Sequence, residues 1–372
     1  MRAVGLILAG GSTKRMQQLT DRRAAAAMPI ASSYRAIDFA LSNMTNSHIQ
    51  RVAVLTQYNA RSLNEHLNSS KWWDFGRKQG GLYVFTPTIT VDNGYWYRGT
   101  ADAIYQNLDF LKRCHEPYVI ITSADAVYKL DYNKVLEYHI AKKADITVVV
   151  KDMEPNEDVT RFGTVRMNES ARIEEFEEKP MVAKSHTVST GIYVIRRRQL
   201  IDLIEHSAEE ERYDFVNDIL IRYKNLKKIY GYKIHNYWSN ISTVDSYYKT
   251  NMDFLKPEVR NYFFKELLAV YSKVSDQPPA KYNPGAVVKN SLVGSGSIIN
   301  GTVENSVLFK KVFVGNNCVI KNSIILNDVY LGDNTYIENC IVESRDTIRA
   351  NTRHVGEEGV KVVVEKNERY TL

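Results

Sequence analysis

A glycine-rich turn with two basic residues follows the first apolar segment of the chain. Residues 3–10 (AVGLILAG) are predicted to form a buried strand, and the turn Gly10-Gly11-Ser12-Thr13-Lys14-Arg15 comes directly after it. Backbone N–H groups in such a turn can face a phosphate or nucleotide, with Arg15 as the charge partner. The same pattern also occurs in turns that only join a strand to a helix. The turn is therefore a candidate phosphate site that needs support from elsewhere.

The segment after this turn contains residues that cannot contact a charge. Arg22 and Arg23 are followed by four consecutive alanines, Ala24 to Ala27. Alanine has high helix propensity, so the segment by itself is compatible with a helix start. It provides no side chain for a phosphate, although it lies close to a turn that could bind one.

The elements around these residues alternate between strand and helix patterns over the first ~250 residues. Short apolar runs at 51–57, 118–125, 145–153 and 189–196 predict buried strands, and residues 38–49, 100–112 and 132–143 have helical spacing. This alternation is typical of a doubly wound, Rossmann-like α/β sheet. Sites in such folds lie at the carboxyl ends of strands, which directs attention to residues 8–12 and 122–125.

A different periodicity begins near residue 285. The segments KNSLVG, ENSVLF, KNSIIL and ENCIVE recur, and their asparagines at 290, 305, 322 and 339 are separated by 15, 17 and 17 residues. A hexapeptide phase repeated three times per coil predicts a left-handed parallel β-helix, of which three to four coils are visible. We expect an α/β domain over 1–255, a helical and Pro-rich linker over 256–284, and the β-helix over 285–372.

Composition excludes several classes of protein. The chain has 372 residues with 44% hydrophobic and 25% charged residues, which is typical of a soluble globular protein. Three cysteines without CxxC spacing argue against a zinc site and a disulfide framework. The net charge of +6 lacks basic stretches with interleaved aromatic residues, so we expect no nucleic acid partner. No apolar run has the ~20 residues of a membrane span, and we expect a cytoplasmic protein without membrane association.

Four further segments carry a resemblance to a known family. The segments YRAIDFALSN (34–43), WYRGTADAIYQN (96–107), ADAVYKLDY (124–132) and FEEKP (176–180), followed by a β-helix, resemble the glucose-1-phosphate adenylyltransferase family over essentially the whole chain. The resemblance implies that glucose 1-phosphate attacks the α-phosphorus of ATP, giving ADP-glucose and pyrophosphate in glycogen synthesis. It also implies that Mg²⁺ helps to neutralise the developing charge.

The resemblance implies roles for individual residues. Arg15 and Asp125 correspond to catalytic positions, and Asp125 also corresponds to the first metal-binding carboxylate. The implied nucleotide-binding residues are Leu8, Ala9, Gly10, Gly11, Arg15, Gly99 and Thr100. The implied sugar-phosphate-binding residues are Glu178, Lys179, Ser189 and Gly191.

The chain departs from the family pattern on the phosphate and metal side. Ala25 stands where the family has a lysine that approaches the phosphates, and Asn240 stands where it has the second metal-binding aspartate. Ser239 replaces the neighbouring arginine. Other changes nearby affect a glycine of the turn, a proline and the flanks of the first carboxylate, at Thr13, Ala26, Ala124 and Ala126. We therefore expect a degenerate site that binds Mg²⁺ weakly or not at all.

This pattern most resembles the GlgD-type regulatory subunits of the family. Such chains pair with a catalytic GlgC-type homologue, which holds the Mg²⁺, and the resemblance implies a heterotetramer. The basic residues Arg22, Arg23 and Arg35, together with Gln57, are candidates for binding a phosphorylated activator, although solvated arginines on a loop would look the same.

Three alternatives remain open at this point. The chain could be a self-sufficient glucose-1-phosphate adenylyltransferase that uses Asp125 and Arg15. It could be a sensor that binds sugar nucleotides or effectors without a partner. It could also be a β-helix acyltransferase, although the only histidine of the β-helix, His354, follows the last clear repeat.

Overall fold

The computed structural model describes residues 2–11, 14–76, 80–88, 94 and 96–365. Within these residues, all helices end by Phe264. The α-helices are α1 (Ala36–Asn46), α2 (Ala60–Leu67), α3 (Thr100–Tyr105), α4 (Leu108–Arg113), α5 (Tyr132–Ala141), α6 (Arg197–Glu209), α7 (Val244–Asp253) and α8 (Pro257–Phe264). Shorter helical turns cover Lys14–Thr20, Ala25–Ala27, Ser70–Trp73 and Val216–Ile221. The helix predicted over 100–112 is two helices, because Asn107 turns its side-chain amide back to the Ala103 carbonyl at 2.8 Å.

The strands of the α/β part are short and mostly buried. They are β1 (Ala3–Leu8), β2 (Pro29–Ile30), β3 (Tyr34–Arg35), β4 (Arg51–Leu55), β5 (Gly81–Phe85), β6 (Tyr118–Ser123), β7 (Ala126–Tyr128), β8 (Ile146–Asp152), β9 (Gly163–Met167), β10 (Ile173–Glu178), β11 (Thr187–Arg196), β12 (Ile229–Lys233) and β13 (Trp238–Asn240).

A mixed sheet forms the centre of this part. Its order among the described residues is β10-β9-β11-β6-β1-β4-β5, with β8 paired to β11 and β12. The pairs β6–β1–β4–β5 are parallel, whereas β11 runs antiparallel to β6, β8 and β9. One apolar cluster, including Ile7, Leu41 and Leu136, and a second, including Leu6, Leu111 and Ile204, enclose the sheet from both faces. Apolar cores on both faces are what a near-continuous apolar strand pattern requires.

The last third of the chain is a β-helix with three parallel faces. The first face contains β14 (Lys281–Tyr282), β17 (Ile298–Ile299), β20 (Phe313–Val314), β23 (Tyr330–Leu331) and β26 (Thr347–Ile348). The second contains β15 (Val287–Lys289), β18 (Thr302–Glu304), β21 (Val319–Lys321), β24 (Tyr336–Glu338) and β27 (Arg353–Val355). The third contains β16 (Leu292–Val293), β19 (Val307–Leu308), β22 (Ile324–Ile325), β25 (Cys340–Val342) and β28 (Lys361–Val363).

This architecture confirms the predicted fold class, an α/β domain followed by a left-handed β-helix. Each face has five strands within the described residues, so the helix is longer than the three to four coils visible in the sequence. The last coil, β26 to β28, lacks the motif because Gly356 stands at the corner where each of the other four coils has an asparagine. The asparagines of that motif occupy corners with positive φ, between 41° and 53° at Asn290, Asn305, Asn322 and Asn339. Asparagine tolerates this left-handed conformation better than most residues, which explains the regular spacing.

The two parts share an apolar core. Phe39 of α1, Phe254 after α7 and Phe263 of α8 pack in one cluster with Phe309 and Ile324 of the β-helix. Lys129 is buried, and its Nζ donates to the Tyr262 carbonyl at 2.6 Å at the end of α8. The β-helix therefore packs against the α/β part.

Candidate functional site

A cavity opens where the parallel strands β1 and β6 end. It has a volume of about 490 Å³. Leu8 pairs with Ser123 in the sheet, and the Ala124 N–H donates to the Leu8 carbonyl at 3.1 Å. The carboxyl ends of these two strands therefore meet at one edge, as the α/β pattern predicts.

The glycine-rich turn forms one wall of this cavity. Leu8, Ala9, Gly11 and Arg15 line it. Gly10 lies beside them but is not among the lining residues, and Ser12 and Thr13 fall outside the residues that the structure describes. The structure thus brings Gly11 and Arg15 of the turn, with Leu8 and Ala9 before it, to the expected position.

The alanine run is part of the protein interior. Ala24, Ala26 and Ala27 belong to the core on one face of the sheet. Ala25 and Ala26 also line the cavity, with exposed fractions of 8% and 3%. The segment that carries no charge therefore forms an apolar portion of the cavity wall.

Asp125 and Asn240 lie side by side although more than a hundred residues separate them in sequence. Strands β7 and β13 are antiparallel with Asn240 opposite Ala126, and the Ile241 N–H donates to the Asp125 carbonyl at 2.9 Å. Both side chains line the cavity. The Ser123 hydroxyl donates to the Asp125 carboxylate, and the Asn240 Oδ1 accepts from the Ser242 N–H at 2.9 Å.

Ser239 has a different environment from its neighbour. Successive side chains of a strand point to opposite faces, and Trp238 and Asn240 line the cavity whereas Ser239 does not. The Ser239 hydroxyl instead pairs with the Thr250 hydroxyl of α7 at 2.6 Å. The arginine-to-serine change therefore lies beside the site, on the face toward α7.

All four predicted sugar-phosphate residues belong to the wall of this cavity. Glu178, Lys179, Ser189 and Gly191 line it at the end of β10 and within β11. Lys179 Nζ lies 3.0 Å from Glu178 Oε1. Gly191 has φ of 74° where the pairing of β11 with β8 shifts register, a bulge that favours glycine.

Sequence reasoning missed three prominent lining residues. They are Arg161, Tyr193 and Trp238. Tyr193 is buried, and its burial raises the pKa of the phenol. Trp238 is 6% exposed, and its indole N–H has no hydrogen-bond partner within the described residues. A buried donor without a partner costs free energy, which a ligand acceptor would offset.

Gly99 and Thr100 lie outside the lining of this cavity. A Cβ at Gly99 would lie 2.3 Å from the Tyr213 carbonyl oxygen, so a side chain cannot fit there. The Thr100 hydroxyl accepts from the Phe215 N–H at 3.0 Å. These contacts give both residues a role in joining α3 to the segment before Val216, and their nucleotide-binding role stays a prediction.

The four predicted regulatory residues have separate environments. Arg22 is exposed, whereas Arg23 forms an ion pair with Glu343 of the β-helix and donates to the Ser344 hydroxyl at 3.2 Å. Arg35 donates to the Ser62 carbonyl at 2.9 Å. Burial lowers the pKa of the Arg35 guanidinium and repulsion from Arg23 lowers it further, while Asp38 opposes both.

Gln57 is held by main-chain contacts. Its Oε1 accepts from the Tyr97 N–H at 2.6 Å, and its Nε2 donates to the Tyr97 carbonyl at 3.4 Å. Its amide therefore fixes the segment before α3, whereas the three arginines lie toward or at the β-helix.

The cavity provides few ligands for a divalent metal. Asp125 offers a carboxylate to the cavity, but the Asn240 amide oxygen beside it already accepts a hydrogen bond. Within the described residues, no group of three or more His, Cys, Asp or Glu side chains could hold a metal. Mg²⁺ is often bound by one or two carboxylates together with phosphates. Asp125 with ligand phosphates fits that minimum.

The length and apolar character of a helix decide whether it can cross a membrane. None of the helices in the described ranges has both the length and the apolar character needed to cross a bilayer.

Comparisons with known proteins agree with the two-part architecture. The nucleotidyl transferase family model matches residues 4–257, and the model of the GlmU-like C-terminal hexapeptide matches residues 278–365.

Curated relatives match over most of their length. A glucose-1-phosphate adenylyltransferase of Clostridium novyi strain NT is 39% identical over 320 residues, covering 85% of this chain and 84% of the relative. One from Geobacillus stearothermophilus is 38% identical over 323 residues, covering 86% and 83%. One from Clostridium perfringens strain 13 is 40% identical over 320 residues, covering 85% and 81%. The chain therefore belongs to the glucose-1-phosphate adenylyltransferase family.

Proposed function

We propose that this chain is a regulatory subunit of a glucose-1-phosphate adenylyltransferase, with weak or no turnover of its own. The assembled enzyme makes ADP-glucose and pyrophosphate from ATP and glucose 1-phosphate for glycogen synthesis. A catalytic GlgC-type homologue completes a heterotetramer and performs the reaction with Mg²⁺. This chain contributes ligand binding and regulation.

The observation that carries the proposal is that Asp125 and Asn240 both line the cavity next to the paired strands β7 and β13. A carboxylate at 240 would stand beside Asp125 and share a metal, whereas the amide is neutral and its oxygen is engaged with Ser242. Ala25 leaves the same side of the cavity without the lysine. Loss of one preorganised group that stabilises charge typically lowers the rate by about 10²–10³-fold.

The sugar side supports retention of binding. Glu178 and Lys179 provide an acceptor and a cation, and the buried Trp238 N–H offers a donor to a sugar or phosphate oxygen. We propose that Mg²⁺, where it binds to this chain, is held by Asp125 and by ligand phosphates, and that it neutralises phosphate charge.

Self-sufficient catalysis is the second candidate. The relatives are named as glucose-1-phosphate adenylyltransferases and match most of this chain at 38–40% identity, which favours this alternative more than a regulatory role. Arg15, Asp125, Glu178 and Lys179 are all present in the cavity. Activity of the isolated chain therefore decides between the two.

The test is pyrophosphate exchange by the chain purified alone. We expect activity with ATP, glucose 1-phosphate and Mg²⁺ to lie at least about 10²-fold below that of a catalytic homologue assayed in parallel. Co-expression with that homologue should give a complex whose activator response differs from that of the homologue alone. Comparable turnover by the isolated chain would establish the second candidate, and ligand binding without turnover or a partner would favour a sensor.

A further inference from the structure

Arg161 enters the cavity from the segment before β9. It lines the cavity together with Arg15, Ala25 and Asn240. Its guanidinium lies over the ring of Phe162, with the guanidinium carbon 4.9 Å from the ring centroid, and its Nη1 donates to the Thr243 hydroxyl at 3.0 Å. These two contacts fix the side chain before any ligand arrives.

The surroundings of Arg161 disfavour the positive charge of its guanidinium. Burial lowers the pKa of its guanidinium and repulsion from Arg15 adds to this effect, while attraction by Asp158, Glu157 and Asp245 opposes it. None of those three carboxylates lines the cavity. Within the described part of the chain, Arg161 forms no ion pair, and its Nε is buried without a hydrogen-bond partner.

Arg15 and Arg161 line the same cavity, so an anion bound there can interact with both guanidinium groups. Guanidinium donors match phosphate oxygens well and form hydrogen bonds stronger than neutral ones. A bound phosphate would relieve the repulsion between Arg15 and Arg161 and satisfy the buried Nε. Ala25 lines the same cavity and provides no charge.

We propose that Arg161 acts with Arg15 as an anion-binding pair for the phosphates of the ligand. The pair supplies positive charge in a cavity where Ala25 has no charge and where the metal site has only one carboxylate. This role rests on the proposed function, because it concerns the same cavity. In this role Arg161 contacts the phosphates of the ligand, although it belongs to no recognisable sequence motif.

The experiment measures binding of inorganic pyrophosphate by calorimetry and by the thermal shift that it causes, in EDTA and in Mg²⁺. Arg161→Gln removes the charge and keeps a polar side chain of similar length. We expect about ten- to a hundredfold weaker binding in EDTA, which corresponds to the loss of one charge-assisted contact. Arg161→Lys should retain part of the affinity.

The control is Arg166→Gln, which lies on β9 and is exposed, with an ion pair to Glu175. It should bind pyrophosphate as the parent does. Each thermal shift is referred to the same variant without ligand, so a less stable Arg161→Gln protein still reports binding. An unchanged affinity or ligand-induced shift in Arg161→Gln would overturn the proposal, as would absence of pyrophosphate binding by the parent.

Binding of ADP-glucose separates this inference from the proposed function. If the parent and Arg161→Gln bind ADP-glucose equally well and also bind pyrophosphate equally well, the role of Arg161 is wrong and the ligand-binding function stands. If the parent binds pyrophosphate through Arg161 but does not bind ADP-glucose, the anion pair stands and the ligand-binding part of the proposed function fails.

Discussion

At the scale of single residues, we propose that the phosphate side of the cavity has lost charge while the sugar side has kept it. Ala25 and Asn240 replace charged residues of the family pattern, whereas Glu178 and Lys179 match it. The geometry separates these changes from Ser239, whose hydroxyl faces Thr250. Changes at 25 and 240 should therefore affect chemistry, and the change at 239 should affect packing.

Restoration tests this distinction. We expect Ala25→Lys combined with Asn240→Asp to raise pyrophosphate exchange by about 10²-fold or more over the parent, because a cation and a second carboxylate return to the phosphates. Single reversions should gain little, since groups that act as a unit are not additive. Exchange of labelled pyrophosphate into ATP measures the effect.

Two control variants test whether the gain in exchange is specific to positions 25 and 240. Adding Ser239→Arg should give no further gain, because that side chain would point toward α7. Asn64→Asp, on an exposed position of α2, should leave the rate at the parent value. Unchanged exchange in a folded double variant would mean that other features of the cavity limit turnover.

At the scale of elements, the β-helix depends on corner residues with positive φ. Asn322 has φ of 44°, and its carbonyl accepts from the Tyr248 hydroxyl of α7 at 2.7 Å. A left-handed conformation costs most residues about 1–2 kcal/mol, and glycine very little. Corner residues therefore contribute to stability through the backbone.

Substitution at Asn322 tests the corner. We expect Asn322→Val to lower the free energy of unfolding by about 1–2 kcal/mol and Asn322→Gly to change it by less than about 1 kcal/mol. Urea denaturation measures both. Equal losses in the two variants would show that the side-chain amide, rather than the backbone conformation, stabilises the corner.

The asparagine spacing also explains how much of the fold the sequence predicts. The periodicity arises from a backbone requirement that recurs at Asn290, Asn305, Asn322 and Asn339, so the sequence alone predicts the β-helix. The sequence also predicts strands β1 and β6, because each contains a continuous run of apolar residues. Arg161 was not predictable, since it reaches the cavity through sheet pairing over long sequence distances and belongs to no local pattern.

At the scale of the whole molecule, the last coil of the β-helix meets the segment that precedes the alanine run. Asp346 lies in this coil and is 5% exposed. Burial, and then repulsion from Glu343 and Glu365, raise the pKa of Asp346 to about 7, while Arg22 lowers it. The folded chain therefore holds a proton that the unfolded chain releases at lower pH.

The pH dependence of stability follows from this shift. The contribution of Asp346 is fully present below pH ~4 and is lost as pH rises through about 7, by at most about 1.4 kcal/mol per pH unit. We expect Asp346→Asn to be more stable than the parent at pH 8, with the difference shrinking toward pH 5. Urea denaturation at pH 5, 6, 7 and 8 measures it, and parallel curves for the two proteins would contradict the assignment.

The ion pair between Arg23 and Glu343 connects the β-helix to the cavity. The two side chains are 14% and 9% exposed, and Arg23 precedes the cavity-lining Ala25 by two residues. A phosphorylated activator that binds Arg23 must compete with Glu343 for the guanidinium. We propose that effector binding at this ion pair alters the wall of the cavity.

Glu343→Gln releases Arg23 from this competition. We expect it to tighten binding of fructose 1,6-bisphosphate by about fivefold, which corresponds to about 1 kcal/mol, whereas Arg23→Gln should abolish the response. Calorimetric titration with Glu357→Gln, an exposed position near the same coil, provides the control. If neither Arg23→Gln nor Glu343→Gln alters the titration, Arg23 stabilises the contact between the two parts and has no part in effector binding.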